Sequence, residues 1–391
     1  MKVRYVLHNA YGAGGTIRTV INQANALCPH HDVEIASVFR TRAAPAFAVD
    51  PRVRLVPLTN LRPDGSRRTD PAGANTRLSR KTRRLPNPFV HRHDVRYRRW
   101  DPVVDAAIVR YFRSADDGVL VTTRPSLNLL SARTAPRRLI RVAQEHMNLD
   151  SHRPKLRAAI TRCYPRLDAV TVLTEHDHQA YQQALNGSAV RLARIPNGIP
   201  PRDPPSPMPD TRRLVAAGRL TPQKGFDLLL EAWATVTAKH PDWTLTVYGE
   251  GPSRRQLTEQ RDALGLSNVV DFPGITAQLD TELRTSSMFV LSSRFEGLPM
   301  VLLEAMSCGL PVVAFDCPTG PGEVIDDGVN GRLVSPLDVG ALAATLNAMI
   351  EEPDQRRAMG AAAYASSGRF FMPSICGAWE RFFTALANDR G

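Results

Sequence analysis

Apolar residues in this chain fall in short blocks that alternate between two spacings. Residues 3–7 read as a strand, residues 16–27 repeat apolar positions at helical spacing, and residues 33–38 read as a strand again. Strand-like blocks return at 139–143, interrupted by Arg141, and at 169–173. After a gap the alternation resumes, with strands at 214–217, 244–248, 269–272 and 288–291 and helices over 226–236 and 301–306. Strand–helix alternation of this kind predicts parallel sheets covered by helices on both faces. The gap holds six prolines, at positions 200, 201, 204, 205, 207 and 209. Neither a helix nor an internal strand tolerates that density, so the segment reads as a stiff linker. The pattern therefore predicts an α/β chain of two doubly wound, Rossmann-like domains with a cleft between them: residues 1–200, residues 201–368, and a last segment 369–391. In that segment Trp379 opens an apolar helical face reaching Leu386.

Composition narrows the class. At 391 residues, 43% hydrophobic and 23% charged, the chain is long enough for two cores and ordinary for a water-soluble fold. No apolar run approaches the roughly 20 residues that span a bilayer. The opening Met1-Lys2-Val3-Arg4 is strand-like and lacks a cleavage site, so no signal peptide is expected. Five cysteines, widely spaced and without a Cys-x-x-Cys pair, favour a reducing cytoplasm over disulfides or zinc. Cys308 and Cys317 lie near the motifs described next and read as small buried residues.

The charge is uneven. Residues 1–200 carry 33 Lys and Arg against 15 Asp and Glu, whereas residues 201–391 carry 17 against 23. Residues 61–100 alone hold 12 basic and 3 acidic side chains, with Leu85, Phe89, Tyr97 and Trp100 interleaved. That mixture suits an anionic membrane surface, where each base adds about 1 kcal/mol, or a phosphate-rich acceptor. A solvated or disordered arginine-rich insertion is the alternative reading. Nucleic acid is disfavoured, because no zinc-finger spacing, recognition helix or RNP pattern is present.

The chemistry gathers at glycine turns that follow strands. Glu296-Gly297-Leu298-Pro299 follows one strand and opens the helix that carries Glu304, with seven residues between the two glutamates. The first amides of a helix lack internal partners and its dipole is positive there, which suits a phosphate; a carboxylate suits the hydroxyls of a sugar or ribose. Gly218-Arg219-Leu220-Thr221-Pro222-Gln223-Lys224 follows another strand and sets two cations five positions apart. Tyr248-Gly249-Glu250-Gly251-Pro252 and Pro318-Thr319-Gly320-Pro321-Gly322-Glu323 are two more such turns. Four at strand ends fit a doubly wound sheet with its ligand at those ends.

Taken together, Gly-Arg-Leu-x3-Lys-Gly, Gly-x-Gly-Pro, Glu-x7-Glu and Asp-Cys-Pro-Thr-Gly-Pro resemble the retaining family-four glycosyltransferases of the GT-B fold, densely over 214–334 and more thinly over 1–200. The Asp-Cys-Pro-Thr-Gly-Pro variant resembles the form found in transferases of cell-surface polysaccharides and teichoic-acid-type polymers. The resemblance implies that Glu296 contacts the donor sugar, that Glu304 holds the nucleotide ribose, and that Arg219 and Lys224 hold the donor diphosphate. Gly218, Gly249, Gly251, Gly297, Leu298 and Pro299 would line the donor. The last helix would cross back onto the first domain.

In the first half, Gly12-Ala13-Gly14-Gly15-Thr16 departs from the dinucleotide fingerprint, since Arg18 and Thr19 follow where a packing glycine is needed and Val38-Phe39-Arg40 stands where an acid would meet the ribose. NAD is disfavoured. The resemblance places Gly14, Gly15 and Thr16 against the donor. It also makes His146, at a strand end in Gln144-Glu145-His146-Met147-Asn148, an active-site residue bonding the donor sugar, with Glu145 a candidate to orient it. Thr174-Glu175-His176-Asp177-His178 is poor zinc spacing and reads as a helix start capped by Thr174. With no Asp-x-Asp run, no metal or cofactor is expected. Arg219, Lys224 and the helix amides would stand in as fixed positive charge.

The expectation is thus a metal-independent, retaining transferase moving a hexose-type sugar from a nucleotide sugar of the UDP type. Its acceptor would be a cell-envelope glycan, a polyol phosphate or a lipid-linked chain. It would be cytoplasmic and peripheral at the inner membrane face. Two alternatives stand beside it: a catalytically silent nucleotide-sugar-binding partner protein, and a basic nucleic-acid binder.

Overall fold

Charged residues break the first strand pattern at Lys2 and Arg4, yet β1 (Lys2–Leu7) is buried from Val3 onward. Arg4 is accommodated because its guanidinium donates to the carbonyl of Asp117. The structure, a computed structural model, describes residues 1–60, 94, 102–204 and 211–390. It divides into two compact units, one formed by Met1–Gly198 with Met372–Gly391 and the other by Ile199–Phe371. The basic stretch 61–100 lies outside the described residues apart from Asp94.

In the first unit β1 is joined by β2 (Asp32–Arg40), β3 (Arg54–Asn60), β4 (Val119–Thr122), β5 (Ile140–Gln144), β6 (Ala169–Val172) and β7 (Arg191–Arg194). Among the described residues they form one sheet of order β3-β2-β1-β4-β5-β6-β7, parallel throughout. Val3 pairs with Val33 on one side and Val119 on the other, so the strand order turns at β1 and β4. Helices α1 (Gly15–Leu27), α2 (Pro102–Ser114), α3 (Pro125–Thr134), α4 (Pro154–Cys163) and α5 (Glu175–Ala184) cover it. Thr174 caps α5, its hydroxyl accepting from the Asp177 amide at 3.1 Å, as the sequence predicts.

The second unit repeats the plan with β8 (Arg213–Ala217), β9 (Thr244–Tyr248), β10 (Val270–Gly274), β11 (Met288–Leu291), β12 (Val312–Phe315) and β13 (Gly331–Val334). The order is β10-β9-β8-β11-β12-β13, again parallel, with the turn in strand order at β8 and β11. Helices α6 (Phe226–Lys239), α7 (Arg254–Ala263), α8 (Leu279–Arg284), α9 (Met300–Ser307), α10 (Val339–Glu351) and α11 (Pro353–Ser367) flank it. Fully buried Trp233 on α6 packs in a core with Leu214, Val247, Val290 and Phe315. Two parallel doubly wound sheets are the GT-B architecture that the alternation and motifs predict.

The final helix, α12 (Met372–Asn388), belongs to the first unit. It starts seven residues before Trp379, because Pro373 in its first turn has no interior amide to withhold. Met372, Ile375, Trp379 and Phe383 enter the core with Tyr5, Val20, Ile21 and Ala24. The proline-rich segment departs from a plain linker at its start. Arg202 lies against the second unit, its Nη1 donating to the Glu304 carbonyl at 2.7 Å and Ser307 Oγ at 2.9 Å, and its Nε pairing with Asp280 at 2.9 Å. Among the described residues no helix is long and apolar enough to cross a membrane.

Trp379→Ala should destabilise the first unit by about 3–5 kcal/mol, the usual cost of emptying a buried tryptophan site. Urea denaturation followed by circular dichroism checks it; an unchanged midpoint would show that α12 is not part of that core.

Candidate active site

The end of β8 runs into the Gly218–Lys224 turn, whose last residues form a short 3-10 turn (Pro222–Lys224). Gly225 then adopts a left-handed conformation (φ 62°), and a Cβ there would stand 2.0 Å from the Ser292 carbonyl oxygen. That close approach laces the turn to the loop after β11. Ser292 Oγ donates to the Lys224 carbonyl at 3.0 Å, the Arg294 amide to the Gln223 carbonyl at 2.8 Å, and Gln223 Nε2 to the Phe295 carbonyl at 3.0 Å. Arg294 grips Asp227 with both guanidinium nitrogens at 2.8 and 2.7 Å, which holds that carboxyl below the usual range.

The lacing brings two sequence-selected residues into contact. Lys224 Nζ lies 2.5 Å from Glu296 Oε1, with the side chains 16% and 8% exposed. Ser293 Oγ donates to the same oxygen at 2.5 Å. From a third loop, after β12, Thr319 Oγ1 donates to the Glu296 carbonyl. Gly320 (φ 95°) lets that loop close, since a Cβ would sit 2.2 Å from the Gly297 oxygen. Ser293 and Thr319 carry no assignment from sequence; Thr319 lies within a turn the sequence does mark.

The remaining candidates of this unit sit around that pair. Leu298 is buried, and Pro299 stands at the N-cap of α9, where its own side chain makes no cap bond. Glu304, in the second turn of α9, is 2% exposed. Arg219 is exposed and makes no ion pair among the described residues. Gly249 and Gly251 belong to the loop after β9, which supports the Gly218 turn: the Gly218 amide donates to the Tyr248 carbonyl at 2.9 Å and the Leu220 amide to the Glu250 carbonyl at 3.1 Å.

In the first unit Gly14 and Gly15 are exposed where α1 starts, with open space where side chains would stand, and Thr16 lies in its first turn. His146 follows β5 at the same end of the sheet. Its imidazole is pushed down to about 4 by burial, and Nε2 has no hydrogen-bond partner among the described residues. At neutral pH it is an uncharged ring able to bond a hydroxyl. Glu145 does not orient it. The Glu145 side chain points into the core, where Asn128 Nδ2 donates to Oε1 at 2.7 Å and the Tyr164 hydroxyl donates to the same atom. Burial raises its carboxyl to about 7, against the pull of those two bonds.

The profile of the group 1 glycosyl transferases matches residues 203–366, nearly all of the second unit. The GDP-mannose-dependent alpha-(1-6)-phosphatidylinositol monomannoside mannosyltransferase of Mycolicibacterium smegmatis is 30% identical over 258 residues, 60% of this chain and 67% of that protein. The chain belongs to the group 1 glycosyltransferases. A second relative of this glycosyltransferase is the exopolysaccharide phosphotransferase of Streptomyces coelicolor, 34% identical over 395 residues; the match takes in 100% of this chain and 41% of that much longer protein. Among solved structures, S. aureus TarM, crystallised as a variant with fondaparinux, alpha-GlcNAc-glycerol and UDP, matches at TM-score 0.78 and 15% identity, over 98% of this chain and 99% of that one. That likeness speaks for the glycosyltransferase's fold.

Glu145 gives the glycosyltransferase a pH signature. Folded, it holds its proton more tightly than the unfolded chain does, so its contribution is complete below about 4.5 and is lost as pH rises through about 7. Glu145→Gln should abolish that slope, on the order of 3 kcal/mol at most. Melting temperatures at pH 5 and pH 8 test it: the wild type should fall further between them than the variant, and equal falls would contradict the assignment.

Proposed function

We propose that this glycosyltransferase moves a hexose-type sugar from a nucleotide sugar, of the UDP type, to a cell-envelope acceptor, with retention of configuration and without a metal ion. The carrying observation is the Lys224–Glu296 pair, held by three loops at the point where the second sheet reverses its strand order. Breaking the sugar–diphosphate bond leaves negative charge on the phosphate and positive charge on the anomeric carbon. Lys224, the exposed Arg219 and the first turn of α9 supply fixed positive character for the phosphate. Glu296 receives sugar hydroxyls, Glu304 the ribose, and the backbone of Gly297, Leu298 and Pro299 lies along the donor. Within the first unit, His146 offers a neutral hydrogen-bonding ring suited to a sugar hydroxyl, and Gly14, Gly15 and Thr16 offer backbone that a ligand can approach closely.

In the step we favour, the C1–O bond to the diphosphate breaks on the face where the acceptor oxygen bonds C1. The acceptor's proton passes to the departing phosphate. Glu296 then has no covalent part, consistent with the engagement of its Oε1 by Lys224 and Ser293. For the acceptor, support comes from the named relatives: one is an exopolysaccharide phosphotransferase and another acts on a phosphatidylinositol monomannoside. A glycan, polyol-phosphate or lipid-linked acceptor fits both, as does peripheral attachment at the inner membrane face through residues 61–100. One relative is GDP-mannose-dependent whereas the solved neighbour was crystallised with UDP, so the base is tested directly.

Purified protein with EDTA should consume a UDP-hexose and yield, by NMR, a product of the donor's anomeric configuration. Arg219→Ala, at an exposed site, should lower kcat by roughly 100- to 1000-fold. Full activity in that variant would refute the phosphate assignment. Lys224→Ala and Glu296→Ala should abolish transfer, with melting curves run beside them because each removes one member of a largely buried ion pair. Turnover only with added divalent ion would refute the metal-free reading, and GDP-sugar turnover alone would refute the base.

A further inference from the structure

The first unit's sheet has a second end, where its strands begin. There β5, β6 and β7 stand side by side, with Arg141 in β5, Asp168 just before β6 and Arg191 opening β7. Together with the end of α3, the Pro165–Leu167 turn and the end of α12 they border an open cavity of about 940 Å³. In a parallel sheet this is the opposite end from Gly14 and His146, so within the first unit the cavity is separate from the candidate site residues.

Six arginines line it, Arg133, Arg137, Arg141, Arg166, Arg191 and Arg390, against two acids. The acids are already engaged. Asp168 accepts from the Arg141 amide at 2.7 Å, from Arg141 Nε at 3.1 Å and from Arg390 Nη2 at 2.5 Å, while Asp389 pairs with Arg191 at 3.0 Å. Arg137 and Arg166 are exposed, and neither side chain makes an ion pair among the described residues. A concave wall with this excess of cations focuses a positive potential, and guanidinium forks match the oxygens of phosphate.

We propose that this cavity binds a soluble, multiply charged phosphate group, such as an oligophosphate or a phosphodiester-linked segment, apart from the donor site. The same chemistry occurs in phospholipid headgroups, but two features favour a soluble ligand. The cations line a hollow instead of a flat face, and none of the large apolar side chains exposed among the described residues lies on its rim to enter acyl chains. Since Asp389 and Arg390 lie just past α12, an occupant also ties the end of that helix to the sheet.

The test titrates sodium tripolyphosphate into the full chain by calorimetry at constant ionic strength, in an Arg219→Ala background so that the donor site contributes little. Saturable binding is expected. Arg137→Ser with Arg166→Ser should raise the dissociation constant at least tenfold, while Arg255→Ser, a 91% exposed arginine of the second unit, should leave it unchanged. No saturable binding, or equal binding by the double variant, would overturn the proposal. So would phosphatidylcholine–phosphatidylglycerol vesicles that capture the wild type but not the double variant while tripolyphosphate fails to bind. Donor turnover is not read, so the outcome is independent of the proposed transferase activity.

Discussion

A lysine and a glutamate kept in contact, largely shielded from solvent, organise the second unit. Moving each charge out of water costs several kcal/mol, and their attraction offsets this only when geometry and extra hydrogen bonds are good. Lys224 and Glu296 meet that demand through Ser293 on the carboxylate and Thr319 on the Glu296 backbone. Three separate loops must therefore be placed to within tenths of an ångström. The left-handed glycines at 225 and 320 exist at the points where two of those loops touch the third. The charges are thereby oriented before any ligand arrives, which is the condition under which fixed groups lower a barrier without reorganising.

Sheet topology explains where this pair can form. Each sheet reverses its strand order once, between β1 and β4 and between β8 and β11. Loops leaving the two strands at a reversal run to opposite faces and leave a crevice between them. The Gly218–Lys224 turn and the Ser292–Pro299 loop leave β8 and β11, and Gly14–Thr16 follows β1. His146 follows β5, one strand further along.

Much of this was legible in the sequence, for a local reason. Strands buried on both faces are short unbroken apolar runs, and turns that follow them announce themselves with glycine; Lys224, Glu296 and Glu304 stand beside such turns. What escaped depends on distant partners. Glu145 looked free to serve His146 because Asn128 and Tyr164, its actual partners, lie 17 and 19 positions away. Ser293 and Thr319 are hydroxyls of a kind found throughout the chain, and only packing gives them an address. The start of the proline segment read as linker because Asp280, Glu304 and Ser307, which hold Arg202, are 78 or more positions downstream.

The placement of α12 bears on how the protein emerges from the ribosome. The second unit is one uninterrupted stretch, Ile199–Phe371, whereas the first lacks its closing helix until that entire stretch has been translated. At roughly 5–20 residues per second the delay is about 9 to 35 seconds. Throughout it the groove beside Tyr5, Val20 and Ile21 awaits Trp379 and Phe383. The half made first is thus completed last, and its nascent form presents an oily surface on which a chaperone could act.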